Sequence, residues 1–105
     1  MAITKNISGD SWEMTVPGRI DGALSNDLEV EILAAMKAGA KEIFVNLSQA
    51  EWMCSAAIRV LLQYYRQMKS GGKKLLVTRP SPEIDSILDI TGFKEMIVEG
   101  TQPGG

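Results

Sequence analysis

The chain has 105 residues, 45% of them hydrophobic and 23% charged, with a formal net charge of -2. That is the composition of a folded domain; it offers no basic field for a nucleic-acid backbone, and no apolar run approaches the roughly 18 residues that a membrane-spanning helix requires. Histidine is absent and cysteine occurs once, which excludes Ser-His and Cys-His catalysis, an internal disulfide and an ordinary four-ligand zinc site.

Residues 2 to 20 read as two strands in a hairpin, because Trp12, Met14 and Val16 alternate with Glu13 and Thr15 and Gly9-Asp10 supplies a turn before them. The same N-terminal stretch lacks the apolar core of a secretory signal, so the cytoplasm is the expected compartment. In SNDLEVEILAAMKAGA, Leu28, Ile32, Leu33 and Met36 recur at helical spacing, Ser25 or Asn26 is the expected cap with Glu29 three residues after Asn26, and Gly39 ends the helix. KEIFVNLS, residues 41 to 48, has the short apolar run of a buried central strand.

A strand-like segment from Glu51 then runs into Cys54 and Ser55, and a long amphipathic helix follows at once. Ile58, Leu61, Leu62, Tyr65 and Met68 fall on one broad face and Arg59, Gln63, Arg66 and Gln67 on the other, and Gly71-Gly72 stops the helix. KKLLVT returns as a strand, and SPEIDSILDITGF reads as a helix with Ser81 as cap, Pro82 at its first position and Gly92 after its end. Met96 to Val98 is assigned a last short strand. Single helices between strands imply right-handed parallel crossovers after the opening hairpin. The expected fold is therefore α/β, a mixed sheet packed with three to four helices, with one domain over residues 1 to 100 and a polar, glycine-rich tail over 101 to 105.

Ser55 stands where a strand segment meets a helix N-terminus, a place rich in unpaired backbone N–H groups. Two readings follow. As an N-cap, the hydroxyl would accept one of those N–H bonds and contribute about 1 kcal/mol. As a phosphoacceptor, it would carry a phosphate against the helix dipole and add about -1.5 to -2 charges to the surface. Burying that charge against an apolar or acidic partner costs several kcal/mol, enough to cut binding by about a hundredfold or more. Arg59, four residues on, either points into solvent or pairs with such a phosphate. Cys54 is either a small buried thiol or a thiolate favoured by the helix N-terminus and open to oxidation. Asp85 and Asp89, four apart, read either as a solvated face or as two carboxylates for acid/base work.

Four stretches, GRID at 18 to 21, VNLS at 45 to 48, WMCSAAIRVLL at 52 to 62 and GGKKLLVTRPSPEIDSILDITGF at 71 to 93, together resemble a STAS domain of the anti-sigma factor antagonist family over nearly the whole chain. The resemblance implies a non-enzymatic binding protein without cofactor or metal. Its unphosphorylated form would capture an anti-sigma factor that is also a GHKL-type serine kinase, phosphorylation would end the complex, and a metal-dependent serine phosphatase would reset it. By position, it makes Ser55 the phosphoacceptor, sets Asp21 beside it on a strand-to-helix loop and Asn46 on the central strand leading to the site. Asp21, Cys54, Ser55, Ala56 and Arg59 would form the partner-binding patch. Neither nucleic acid nor direct membrane insertion is implied, and a homodimer is left open.

The chain departs from the family pattern at Cys54, where the family has Asp, at Ala57, where it has Gly, and at Arg59, often Gly. Those departures leave an alternative, a constitutive STAS subunit of a larger assembly such as a lipid-transport ATPase complex or a signalling particle. The terminal PGG also resembles the end of ubiquitin-like sulfur carriers, whose β-grasp fold does not suit a layout of three helices.

Overall fold

The computed structural model describes residues 2–100. The expected tail over 101–105 lies outside them. At Gly9, whose φ of +59° suits glycine, the chain turns between strands β1 (Thr4–Ser8) and β2 (Ser11–Thr15), which pair antiparallel from Thr4 opposite Thr15 to Ser8 opposite Ser11. This is the expected hairpin. Strand β4 (Glu42–Asn46) then pairs parallel with β2, and β6 (Lys74–Thr78) parallel with β4, giving a mixed sheet in the order β1-β2-β4-β6 with the KEIFVNLS strand in its interior. Met14 and Val16, Ile43 and Val45, and Leu75 and Val77 alternate inward at the two-residue strand period and are buried together.

Residues 2 to 20 hold three strands instead of two. After β2, Pro17 has no N–H for the ladder and Gly18 turns with φ +70°. The chain leaves the first sheet there. It forms β3 (Gly18–Ile20), which pairs parallel with β5 (Ala50–Met53) in a separate two-stranded sheet.

Helix α1 (Gly22–Lys37) starts earlier than its apolar spacing suggests, because the Asp21 carboxylate accepts the Leu24 N–H at 2.9 Å and so caps it. Ser25, expected as the cap, is buried inside the first turn. The buried stripe accordingly starts one turn sooner, at Leu24, and runs through Leu28, Ile32 and Ala35, leaving Leu33 45% exposed. Gly39, at φ +89°, ends the helix region as expected.

Helix α2 (Ser55–Ser70) buries Ile58, Leu61, Leu62 and Met68 as the periodicity requires, but Tyr64 takes the place assigned to Tyr65. The reason is polar as well as steric: the Tyr64 hydroxyl donates to the Glu29 carboxylate of α1 at 2.6 Å, so the ring lies between the helices. Tyr65 is only partly buried and has Lys69 over its ring. Helix α3 (Pro82–Ile90) follows the expectation closely: Ser81 Oγ accepts the Ile84 N–H at 3.2 Å, donates to the Ala50 carbonyl at 2.6 Å, and is followed by Pro82 at the first position. The last expected strand is instead a short helix, α4 (Lys94–Ile97), and Val98 forms an isolated parallel bridge to Val77. Gly92, at φ +82°, reverses the chain, and the Phe93 carbonyl accepts from Met96 and Ile97, closing a turn that still drives Ile97 and Val98 into the core.

Candidate functional site

The small second sheet positions the site. In its parallel pairing Ile20 lies opposite Met53, so the next residue of each strand, Asp21 and Cys54, stands at the same edge. The Cys54 N–H donates to the Ile20 carbonyl at 3.0 Å, fixing that juxtaposition. Each is the N-cap of the helix that follows, α1 from Asp21 and α2 from Cys54. Two helix N-termini, with their partial positive charge, therefore open side by side.

The two termini are finished differently. Asp21 closes α1 with its carboxylate. Cys54 makes no side-chain capping hydrogen bond, and its carbonyl takes the N–H groups of Ala57 and Ile58. Between the termini, the buried Ser25 hydroxyl donates to the Asp21 carbonyl at 2.7 Å and sits 3.3 Å from Cys54 Sγ. Burial pushes the Cys54 thiol up, but the Ser25 hydroxyl and the nearby backbone N–H groups of Ala57 and Ala56 outweigh it, so the thiol ionises below its ordinary range. Ser25 has one hydrogen, so stabilising a thiolate requires it to turn from the Asp21 carbonyl to the sulfur. Cys54 is partly exposed, which favours the second of its two readings in geometry.

Ser55 is the first residue of α2, not its cap, and its side chain is exposed. The capping role is taken by the residue before it, which leaves the hydroxyl free of any hydrogen bond among the described residues. Ala56 is partly buried behind it, and Arg59 is exposed one turn on, with no ion-pair partner among the described residues. Ser55 and Arg59 share a hollow with Ile58 and Leu62, whereas Asp21 lines a different one with Arg19 and Glu51. The five expected patch residues thus gather at the paired helix starts, but Asp21 lines one hollow and Ser55 and Arg59 another.

Asn46 lies on the central strand as expected, yet its side chain braces the turn after β4, accepting the Ser48 N–H at 3.0 Å and donating to Glu13 at 3.3 Å. The strand that enters the site is β5. Asp85 pairs with Lys94 at 3.1 Å, so it is neither purely solvated nor a free partner for Asp89. Ser25 and Arg66, which also belongs to the Ser55 hollow, were not marked as site residues by the sequence. The signal for Ser25 was present: GRI and AEWM are two short strand segments, each followed by a capping position and then a helix, and their pairing puts Ser25 against Cys54.

This architecture is that of a STAS domain. The STAS domain family model matches residues 2–103, and the chain belongs to that family. Among curated relatives, it is 26% identical over 95 residues to the anti-sigma-B factor antagonist of Staphylococcus epidermidis, covering 89% of this chain and 88% of that protein. It is 29% identical over 94 residues to the anti-sigma-B factor antagonist of Staphylococcus aureus, covering 87% and 86%. Among solved structures, the anti-sigma factor antagonist SpoIIAA in its unphosphorylated form superposes with a TM-score of 0.80 at 17% identity, over 92% of this chain and 86% of that one. The phosphorylated form of Bacillus SpoIIAA gives 0.74 at 17% identity, over 92% and 89%. At such identities the structural likeness establishes the fold.

Proposed function

We propose that this chain is a phosphorylation-gated anti-sigma factor antagonist. Unphosphorylated, it captures an anti-sigma factor that is also a GHKL-type serine kinase through the patch of Asp21, Cys54, Ser55, Ala56 and Arg59; phosphorylation of Ser55 ends the complex and a serine phosphatase restores it. The observation that carries this reading is the state of Ser55: an exposed hydroxyl at the first position of α2, relieved of capping by Cys54, and four residues before an arginine with no ion-pair partner among the described residues. The names of the curated relatives, anti-sigma-B factor antagonists, support it.

The energetics favour a switch that leaves the fold alone. A phosphate at a helix N-terminus gains about 0.3–1 kcal/mol from the dipole. Arg59, on the next turn, adds a second favourable charge. Inside a complex the same doubly negative group must lose water against the partner, at a cost of several kcal/mol. Binding is lost while stability barely changes. The departure at Cys54 removes a carboxylate next to the acceptor, which lessens charge repulsion with an incoming phosphate.

The test uses wild-type, Ser55→Asp and Ser55→Ala proteins as parallel baits in native lysate, with partners identified by mass spectrometry. Capture of a GHKL-type kinase by wild type and Ser55→Ala, with loss of about a hundredfold or more for Ser55→Asp, is the expected outcome. Retention of the same partners by all three baits refutes the switch and leaves a constitutive STAS subunit.

A further inference from the structure

A hollow of about 520 Å3 lies along α2 and against the link between α3 and α4. Ile58, Leu62 and Phe93 give it an apolar floor, Ser55 stands at one end, and Arg59 and Arg66 are its charged residues. No Asp or Glu lines it, although the chain carries 13 acidic residues against 11 basic ones. Lys5, Lys41, Lys74 and Lys94 are held in ion pairs and Arg19 stacks on Trp52 at 4.1 Å, whereas Arg59 and Arg66 have no such partner among the described residues. Next to the hollow's Thr91 wall, Ile90 is 85% exposed, apolar area that a small ligand inside the hollow would leave in water.

The spacing says what would fill it. Arg59 and Arg66 are seven residues apart on one helix, about 10.5 Å along its axis, and the hollow from Ser55 to Arg66 is about 16 Å long. That is about three helical turns, and two cations at heptad spacing beside apolar side chains complement a helix with carboxylates at the same spacing and an apolar stripe between them.

We propose that this groove docks an acidic amphipathic helix of a partner protein, its carboxylates on Arg59 and Arg66 and its apolar stripe on Ile58, Leu62 and Phe93. The proposal rests on the reading of the chain as a partner-capturing switch and adds the chemistry of the captured segment. It also assigns Arg59 two competing duties. A phosphate on Ser55 draws Arg59 one turn along the helix, removing one of the two cations that hold the partner's acidic face.

The test is a selection of a random 16-residue peptide library on the full chain, followed by binding of the enriched peptides to Arg66→Glu and Arg66→Ala proteins whose folding is checked by circular dichroism. The expected consensus carries Asp or Glu about seven residues apart with apolar residues between, and its affinity falls at least about tenfold in both variants; replacing its acidic residues by Lys restores binding to Arg66→Glu. A basic or neutral consensus, no enrichment, or equal binding to the Arg66 variants overturns the proposal. Binding of phosphatidylglycerol vesicles in an Arg66-dependent manner, with no peptide enriched, overturns it in favour of a lipid surface. The peptides contain no kinase, so an acidic consensus together with failed kinase capture refutes the switch and keeps the groove, whereas capture unaffected by Arg66→Glu keeps the switch and refutes the groove.

Discussion

The starts of α1 and α2 are near-copies in position and opposites in finish. Both follow strands of the same two-stranded parallel sheet, and the N-cap of each lies one residue past the paired positions Ile20 and Met53. At α1 the anion is built in, since Asp21 accepts the Leu24 N–H. At α2 the capping residue is a cysteine without a side-chain capping bond, and a bare hydroxyl follows it. A helix start that already holds a carboxylate has part of its positive end neutralised, whereas one without a side-chain cap keeps it. The difference teaches that two equivalent strand-to-helix junctions can be finished differently, one with a carboxylate cap and one with none from its side chain.

The largest way to break the comparison is to loosen the two helices against each other. Tyr64 of α2 donates to Glu29 of α1 and is buried, and that hydrogen bond, with burial and the carboxylate's charge, pushes its pKa up to about 12. Tyr64→Phe should cost about 2 kcal/mol at pH 7, the scale of a hydrogen bond to a charged group. Because the folded-state pKa is raised above the ordinary value of 10.0, this contribution is complete below pH 10 and is lost as pH rises toward about 12. Urea titrations of both proteins at pH 9 and pH 12 should show their stability gap closing; a gap that persists at pH 12 contradicts the assignment.

A smaller effect sharpens the comparison directly. Asp21→Ala should cost about 1 kcal/mol, the usual loss for an N-cap, while Ser55→Ala should change stability by less than about 0.5 kcal/mol because its hydroxyl caps nothing. Equal losses by thermal or chemical denaturation would show that the two starts are finished alike after all.

Much of this was legible in the sequence wherever one period dominated. The hairpin, the central strand with Ile43 and Val45, the α2 face and the Ser81-Pro82 helix start were all readable from spacing and capping chemistry, because burial there follows the pattern without competition. The GRID and WMCSAAIRVLL stretches gave the family and the position of Ser55. What stayed hidden depended on contacts between distant segments. Three residues from Gly18 to Ile20 are too short to show a strand period, and only their pairing with β5 makes them one. Ser25 looked like a cap because serine favours that position, and Asp21 outcompetes it by standing where β3 ends. The Tyr64–Tyr65 choice turned on Glu29, which lies 35 residues earlier and is invisible to helical periodicity. Val98 has a strand residue's chemistry but reaches the core through the turn that Gly92 allows.

The finest test of the comparison uses the cysteine as a probe of the open helix start. Its thiol is opposed by burial and favoured by Ser25 and by the N–H groups of Ala57 and Ala56, with the second set prevailing. Iodoacetamide reacts with the thiolate, so the rate of alkylation of the folded protein against pH should have its midpoint below that of an ordinary thiol. Ser25→Ala removes the hydroxyl 3.3 Å from the sulfur and leaves the helix start in place, so the midpoint should rise. The mutant removes only the hydroxyl's hydrogen bond to the Asp21 carbonyl, which keeps the one from the residue-25 N–H, and leaves the Asp21 side chain untouched, so α1 keeps its cap and any change reports on the sulfur's surroundings. A wild-type midpoint at or above the ordinary thiol range would mean that burial outweighs the N–H groups, and that the start of α2 is a weaker anion receptor than its geometry implies. A low midpoint that survives Ser25→Ala would place the whole effect in the helix terminus itself, the same field that a phosphate on Ser55 would meet.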